Sequence, residues 1–211
     1  MTGKCDESDS VASRQLLPGI GLVSRLNRSH CLDISHALGA QQGMSSYAPM
    51  SFHLTTERLI LQPWNESDAD DLRALHAERG DGTPTIERTR EIIARLLASA
   101  AETGFALLPI RRRAEGDFIG YCGLIVGRAT VDEPEIAYEL FQRVHGNGYA
   151  TEAARAVLDA ATATGRQRLW STVGSWNTPS LRVLDKLGFE RHYVTTDDRG
   201  EPVVWLTRVL P

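Results

Sequence analysis

The chain has little cysteine, no long apolar run and no excess of charge. Its three cysteines among 211 residues are Cys5, Cys31 and Cys122. An odd, widely spaced set does not form a disulfide framework and suits a reducing compartment, so we expect a cytoplasmic protein. Neither a Cys-x-x-Cys pair nor a His-Glu-x-x-His run is present, and we therefore expect no metal site. No segment approaches the roughly 18 consecutive apolar residues of a membrane helix, so we expect no membrane partner.

The charge balance excludes a broadly basic surface. The chain carries 23 Lys and Arg against 27 Asp and Glu, for a net charge of −4. Nucleic acid is therefore not an expected partner. With 42% hydrophobic and 24% charged residues, the composition is that of a globular protein rather than a fibrous or disordered one. The length predicts one domain with an appendage, as a monomer or homodimer.

Residues 1–49 differ from the rest of the chain. Breakers such as Pro18 and Gly19 interrupt their only apolar run, and apolar periodicity is poor. We expect a poorly ordered or non-catalytic N-terminal extension there and a folded domain over residues 50–211. Met44 and Met50 lie just before the regular pattern begins, and either is a candidate start of the natural chain.

From residue 51 onward, apolar periodicity alternates between the strand and the helix type. The predicted order is β-α-α-β-β-β-α-β-α-β-β, a mixed α/β fold with antiparallel strands first and a parallel crossover later. The predicted strands are 58–64, 105–113, 118–126, 135–141, 169–173, 191–195 and 203–209. The predicted helices are 67–79, 86–102, 151–164 and 180–187.

The most informative segment joins a strand to a helix and runs from Arg143 to Ala153. Gly146 and Gly148 allow positive φ and close approach of a ligand to the backbone. The helix that follows offers unpaired N–H groups and the positive end of its dipole, which favours a phosphate, and Arg143 supplies a further positive charge. The segment lacks the Gly-Lys-Ser/Thr ending of a P-loop, and position 151 is Thr where a dinucleotide fingerprint needs Gly.

These residues resemble the GNAT superfamily of N-acetyltransferases, whose acyl-CoA loop reads Arg/Gln-x-x-Gly-x-Gly/Ala. The branch containing the ribosomal-protein N-alpha-acetyltransferases is similar in three further places. They are the opening Thr56-Glu57-Arg58-Leu59-Ile60-Leu61, the run Gly148-Tyr149-Ala150-Thr151-Glu152-Ala153, and Asn177-x-x-Ser180 followed by Leu187-Gly188-Phe189. The resemblance covers about residues 52–210.

The resemblance implies that acetyl-CoA is the cosubstrate. Its pyrophosphate would bind the loop amides, and its pantetheine would lie along a strand that splays from its parallel neighbour. Asn177 would contact the cofactor arm near the thioester. The expected cofactor-binding residues are Leu140, Phe141, Arg143, His145, Gly146, Asn147, Gly148, Tyr149, Ala150, Thr151 and Asn177.

Acetyl transfer to an amine needs an oxyanion donor, a route for the ammonium proton and a group that handles the departing thiolate. The amide near Leu140 is the expected oxyanion donor. Glu135 and Glu139 share one strand face and are candidates for the base or for recognition of a cationic amine; a solvated face or a structural salt bridge is the alternative. Ser180 is the candidate for stabilising the thiolate, with a plain N-cap as the alternative. Position 184, where many relatives have a tyrosine acid, is Leu.

Three functions remain open from the sequence. The first is an acetyl-CoA-dependent N-acetyltransferase acting on a primary amine, either a protein N-terminus or a small molecule, by direct attack in a ternary complex. The second is an acyl-CoA-binding sensor or interaction module without turnover, which the missing tyrosine favours. The third is a nucleotide-binding protein whose glycine loop lies outside the known motifs.

Overall fold

The computed structural model describes residues 47–80 and 82–211. Residues 1–46 of the predicted N-terminal extension, together with the start-site hypothesis at Met44, lie outside the described residues. The described end of that extension contacts the domain, because the Ala48 amide donates to the carbonyl oxygen of Thr164 at 3.0 Å. Met50 is buried, and its amide donates to the carbonyl oxygen of Gly104 at 2.7 Å.

The elements follow the predicted order, with one additional short strand at the start. The described residues form strands β1 (Leu54–Thr55), β2 (Leu59–Leu61), β3 (Leu107–Arg112), β4 (Phe118–Ile125), β5 (Glu135–Leu140), β6 (Arg168–Gly174), β7 (Glu190–Thr196) and β8 (Pro202–Val209). The helices are α1 (Ala69–Ala77), α2 (Ile86–Thr103), α3 (Tyr149–Thr162) and α4 (Thr178–Lys186). None of the helices in the described part of the chain is long and apolar enough to span a bilayer.

The strands form one sheet in the order β1-β2-β3-β4-β5-β6-β8-β7. Among the strands of the described residues, only β5 and β6 are parallel, and they pair at the single register position Glu135↔Trp170. By contrast, β4 and β5 pair continuously from Gly120↔Leu140 to Ile125↔Glu135. The carboxyl ends of β5 and β6 therefore separate, which confirms the predicted mixed fold with a splayed central strand pair.

Helix α3 packs on the sheet through the face that its periodicity predicts. Its buried residues include Ala153, Ala154, Val157, Leu158 and Ala161. Three of these five are alanines, so the helix axis lies close to β4 and β5, where the glycine loop enters.

Neighbouring residues on β5 mark the two faces of the sheet. The Tyr138 hydroxyl bonds to Ser180 of α4, whereas the Glu139 carboxylate bonds to Arg79, just after α1. Because successive side chains of a strand point to opposite faces, α4 and the end of α1 lie on opposite sides of β5.

Candidate active site

A cavity of about 410 Å³ lies where β5 and β6 separate. Its wall includes the end of β5 (Tyr138, Glu139, Leu140), the glycine loop with the start of α3 (Val144, His145, Gly146, Gly148, Tyr149, Ala150, Thr151) and one face of α4 (Pro179, Ser180, Arg182, Val183, Lys186). A larger depression of about 570 Å³ lies between α3, the end of α4 and β8. It contains no residue of the glycine loop, so the smaller cavity is the candidate site.

The glycine loop has the backbone that the sequence predicts. Gly146 and Gly148 have φ of 79° and 80°, in the left-handed region that favours glycine. A Cβ at Gly146 would meet no atom within 4 Å, so space for a ligand lies beside it. The first helical bond of α3 runs from the Glu152 amide to the carbonyl oxygen of Gly148 at 3.0 Å. The three helical amides before Glu152 are therefore free of the helix ladder and available to an anion.

Helix α3 begins at Tyr149, two residues before the predicted start at Thr151. Gly148 occupies the N-cap position without a side-chain cap, so the first turn is left uncovered. This arrangement adds two amides to the site that periodicity alone assigned to the loop.

A network from the start of the domain holds the loop in place. Arg58 donates from Nε to Glu152 Oε2 at 2.7 Å and from Nη1 to the carbonyl oxygen of Asn147 at 3.0 Å. Its guanidinium also lies 4.5 Å from the ring centroid of Tyr149. Thr56 donates from Oγ1 to Glu152 Oε1 at 2.5 Å. Burial alone would raise the pKa of Glu152, but the bonds from Thr56 and Arg58 outweigh it and hold that pKa below its usual value.

Two predicted loop residues, Asn147 and His145, hydrogen-bond to the backbone of the loop and of β5. Asn147 donates from Nδ2 to the carbonyl oxygens of Val144 and His145, at 3.1 and 3.2 Å. His145 does line the cavity, and its Nε2 lies 2.9 Å from the carbonyl oxygen of Leu140. These bonds fix the turn between β5 and α3.

Arg143 and Phe141 lie away from the cavity wall. The Arg143 guanidinium donates to the carbonyl oxygen of Phe118 at 2.9 Å and to Asp117 at 3.3 Å. It also covers the Phe141 ring, at 4.6 Å from the centroid, and that ring packs edge-on against Phe118 at 5.9 Å. The expected charge contact from Arg143 is therefore replaced by an anchor that fastens the loop to β4.

The start of α4 tests the expectation that Ser180 is a plain N-cap. The helix begins at Thr178, and the N-cap is Asn177, whose Oδ1 accepts from the Ser180 amide at 3.1 Å. The plain N-cap interpretation of Ser180 is therefore wrong. Asn177 is buried and lies off the cavity wall, so in this conformation its side chain positions the first turn of α4.

Ser180 is 4% exposed and reaches the cavity wall. Its Oγ lies 2.9 Å from the hydroxyl oxygen of Tyr138, which also donates to the Ser180 carbonyl oxygen at 3.1 Å. Burial raises the pKa of Tyr138, so this hydroxyl is protonated at neutral pH.

Glu139 is the acidic group on the cavity wall, and it is already paired. Arg79 donates to it from Nε at 2.9 Å and also from Nη2, and the Tyr121 hydroxyl donates at 2.5 Å. Burial opposes the charge of Arg79, but Tyr121 and Glu139 outweigh it and keep the pKa of Arg79 above its usual value. Burial and the positive charge of Arg79 lower the pKa of nearby His76 to about 4.

Glu135 is buried and lies off the cavity wall. Its carboxylate accepts from Thr172 Oγ1 at 2.7 Å and from the Arg128 amide. Burial raises the pKa of Glu135, and these bonds act against the rise. A Cβ at Gly127 would lie 2.5 Å from Glu135 Oε1, so a glycine is needed beside the carboxylate. In this conformation Glu135 fastens the turn at Gly127 to β6.

Sequence reasoning missed five contributors to the site. Arg182 and Lys186 are four residues apart on α4, and that spacing could have placed both on one helix face. Arg79 and Tyr121 contact Glu139 across 60 and 18 residues, and no local pattern signals such contacts. Tyr138 lies at an apolar position of a strand whose polar and apolar residues alternate, and this pattern is typical of core residues. Within the described ranges, no three His, Cys, Asp or Glu side chains are grouped so as to hold a metal ion.

Comparison with known proteins agrees with this architecture. Residues 58–190 match the family described as "Acetyltransferase (GNAT) domain". The uncharacterized protein YkkB of Bacillus subtilis is 31% identical over 154 residues, which are 68% of this chain and 87% of that protein. A GNAT-family acetyltransferase structure from Bordetella pertussis has a TM-score of 0.67 and 24% identity, covering 74% of this chain and 98% of its own.

One solved neighbour belongs to the branch that the sequence resembles. It is RimL, a ribosomal L7/L12 alpha-N-protein acetyltransferase in complex with coenzyme A, with a TM-score of 0.65 and 15% identity. The match covers 75% of this chain and 98% of the RimL chain, and it shows a shared fold. With the family match extending over most of the domain, the chain belongs to the GNAT acetyltransferase family.

Proposed function

We propose that this acetyltransferase uses acetyl-CoA and transfers its acetyl group to a primary amine by direct attack in a ternary complex. The observation that carries the proposal is the left-handed glycine turn at the start of α3, whose open amides face a cavity at the splayed end of β5. The cytoplasmic location expected from the odd, widely spaced set of cysteines belongs to the same proposal.

The cavity wall suits a phosphate-bearing thioester. The amides of Tyr149, Ala150 and Thr151 would bind the pyrophosphate, because they precede the first helical bond and lie at the positive end of the helix dipole. Arg182 and Lys186 add two positive charges on the same wall. Acetyl-CoA would supply the activated acyl group.

The unpaired edge of β5 supports the expected oxyanion donor. The Phe141 amide donates to the carbonyl oxygen of Ile119 on β4, at 3.0 Å. Because bonding directions alternate along an antiparallel strand, the Tyr138 and Leu140 amides point the other way, toward β6. β6 has diverged at this point, so the Leu140 amide would be free to bond the thioester carbonyl oxygen.

The acidic side chains would take different parts. Arg79 and Tyr121 hold Glu139 in a fixed orientation and balance its charge. We therefore assign Glu139 to orienting the amine or a water that removes its proton, and not to acting as an isolated base. Glu135 would have a structural role, because its bonds from Thr172 of β6 and from the Arg128 amide keep the carboxylate off the cavity wall.

Ser180 would donate a hydrogen bond to the departing thiolate. It is the hydroxyl on the α4 wall, and its backbone is fixed by the Asn177 cap. A binding module without turnover is the competing function, favoured by Leu184, which is fully buried where many relatives have a tyrosine acid.

Two successive measurements test the proposal. A thermal-shift panel with CoA, acetyl-CoA, ATP and NAD should show stabilisation by the two CoA species only. Release of free thiol from acetyl-CoA should then depend on an added amine, screened from polyamines and amino acids to peptides beginning with Ser or Ala. Stabilisation without amine-dependent thiol release would establish the binding module instead, and stabilisation by ATP or NAD alone would overturn both functions.

A further inference from the structure

Two buried hydroxyl groups from different elements meet at the cavity wall. Tyr138 on β5 and Ser180 in the first turn of α4 are 5% and 4% exposed, and their hydroxyl oxygens lie 2.9 Å apart. The Tyr138 hydroxyl also lies 3.1 Å from the Ser180 carbonyl oxygen. Position 184 on the same helix carries a leucine that is fully buried, so α4 itself offers no phenol here.

The proton count of this pair gives it two arrangements. A tyrosine hydroxyl has one proton, and here it has two acceptors on one residue, the carbonyl oxygen and Oγ of Ser180. When Tyr138 donates to the carbonyl oxygen, the Ser180 proton is directed at the tyrosine oxygen. When Tyr138 donates to Oγ, the Ser180 proton is free to point into the cavity.

We propose that Tyr138 is a positioning residue that directs the Ser180 hydroxyl toward the departing thiolate. The inference rests on the proposed acetyl transfer. As the carbon–sulfur bond breaks, sulfur keeps the electron pair and Ser180 donates a hydrogen bond to it. Tyr138 meanwhile donates to Ser180 Oγ and keeps its proton throughout. The proton that the amine loses on acylation balances the one that the thiolate finally takes from solvent.

The arrangement compensates for the leucine at position 184. A phenol from β5 approaches Ser180 from the sheet side, whereas a tyrosine in α4 would approach sulfur directly. Burial raises the pKa of Tyr138, so the phenol stays a donor through the neutral range. The hydroxyl pair therefore offers one oriented donor to sulfur without placing a charge in the wall.

The experiment compares four variants of the full-length protein: Tyr138→Phe, Ser180→Ala, the double variant, and Thr89→Val as control. Thr89 is fully buried on α2, and its hydroxyl donates to a backbone carbonyl oxygen at 3.0 Å, away from the cavity. The bond from Ser180 to the thiolate is strong because its acceptor is charged, so losing the orientation of that donor in Tyr138→Phe should lower kcat by about tenfold to a hundredfold. KM for acetyl-CoA and Kd for CoA should stay within about twofold, because the phenol orients Ser180 for the departing thiolate and does not contribute to ground-state binding.

The double variant carries the decisive result. If Tyr138 acts through Ser180, the kcat of the double variant should equal that of Ser180→Ala, because removing the phenol has no further effect once the serine hydroxyl is gone. The inference would be overturned by additive losses in the double variant, by an unchanged kcat in Tyr138→Phe, or by an equal loss in Thr89→Val. In each of these cases, acetyl transfer by the wild type would still support the proposed function. A wild type that binds CoA but transfers no acetyl group would overturn both, and calorimetry with CoA separates that outcome from a folding failure.

Discussion

Arg58 and Glu152 lie 94 residues apart and form a bond of 2.7 Å from Nε to Oε2. The pair joins the opening of the domain to the first turn of α3. Arg58 also reaches the carbonyl oxygen of Asn147 inside the loop, so one side chain secures both ends of the turn. The two motifs that the sequence presents as separate features are thus one structural unit.

Arg58→Ala should weaken CoA binding severalfold, because a loosened turn must be ordered when the ligand binds. The change in unfolding free energy should stay near 1 kcal/mol or less, as for other exposed ion pairs. Arg88→Ala is the matched control: both arginine side chains are 44% exposed, and Arg88 pairs with Glu91 at 2.7 Å on α2. Calorimetry with CoA and urea unfolding measure the two effects; equal CoA affinities in both variants would contradict the role of Arg58.

Gly146→Ala should abolish or sharply reduce CoA binding. The new methyl group would enter the space beside the loop, and a left-handed conformation costs a non-glycine residue about 1–2 kcal/mol. Gly200→Ala separates the two effects, since Gly200 has φ of 78° in the last hairpin and likewise no atom within 4 Å of a Cβ. Both variants should lose similar stability in thermal unfolding, and only Gly146→Ala should lose affinity. Retained affinity would show that the ligand does not approach Gly146.

Arg182→Ala should lower CoA affinity, and the loss should shrink as salt is raised from about 50 to 500 mM, because the contact with phosphate is electrostatic. Lys186→Ala should act in the same direction, and the two changes together should exceed either alone. Arg95→Ala removes an exposed positive charge on α2 and serves as the control for net charge. A loss of the same size in Arg95→Ala would reduce the effect to long-range attraction.

His76 should make stability fall as pH is lowered. Burial and Arg79 lower the pKa of His76 from 6.5 to about 4, so the unfolded chain binds its proton before the folded protein does. The free energy of unfolding contributed by this group is complete above pH 6.5 and is lost as pH falls toward about 4. His76→Gln should flatten that part of the curve, measured as the difference between wild type and variant in urea unfolding across pH 4–7. Parallel curves would mean that another group causes the loss.

The sequence predicted those parts of the site that follow from local pattern. Gly146 and Gly148 lie between a strand and a helix, and two glycines at such a position indicate a turn with positive φ. The buried face of α3 follows from helical spacing alone. The start of α4 was misjudged by two residues, because Asn177 and Ser180 are both good capping residues and the choice depends on which one the fold buries.

The remaining contributors depend on contacts between distant segments. Glu139 was expected as a base or a recognition group, and Arg79 turns it into half of a buried ion pair from 60 residues away. Tyr138 contributes to the site only because α4 places Ser180 within hydrogen-bond distance of its hydroxyl. Strand periodicity decides which face a side chain occupies, whereas the partner on that face is decided by tertiary packing.

The single pairing between β5 and β6 has a consequence for how the protein unfolds. Strands β1–β5 and strands β6–β8 are joined by one backbone register position, so we expect the two parts of the sheet to open more independently than strands that pair continuously. A ligand that bonds the free edge of β5 would also add a hydrogen-bonded partner at the open end of this junction. Substrate binding would then couple the two parts, and amide hydrogen exchange should slow at the carboxyl ends of both strands rather than at the glycine loop alone.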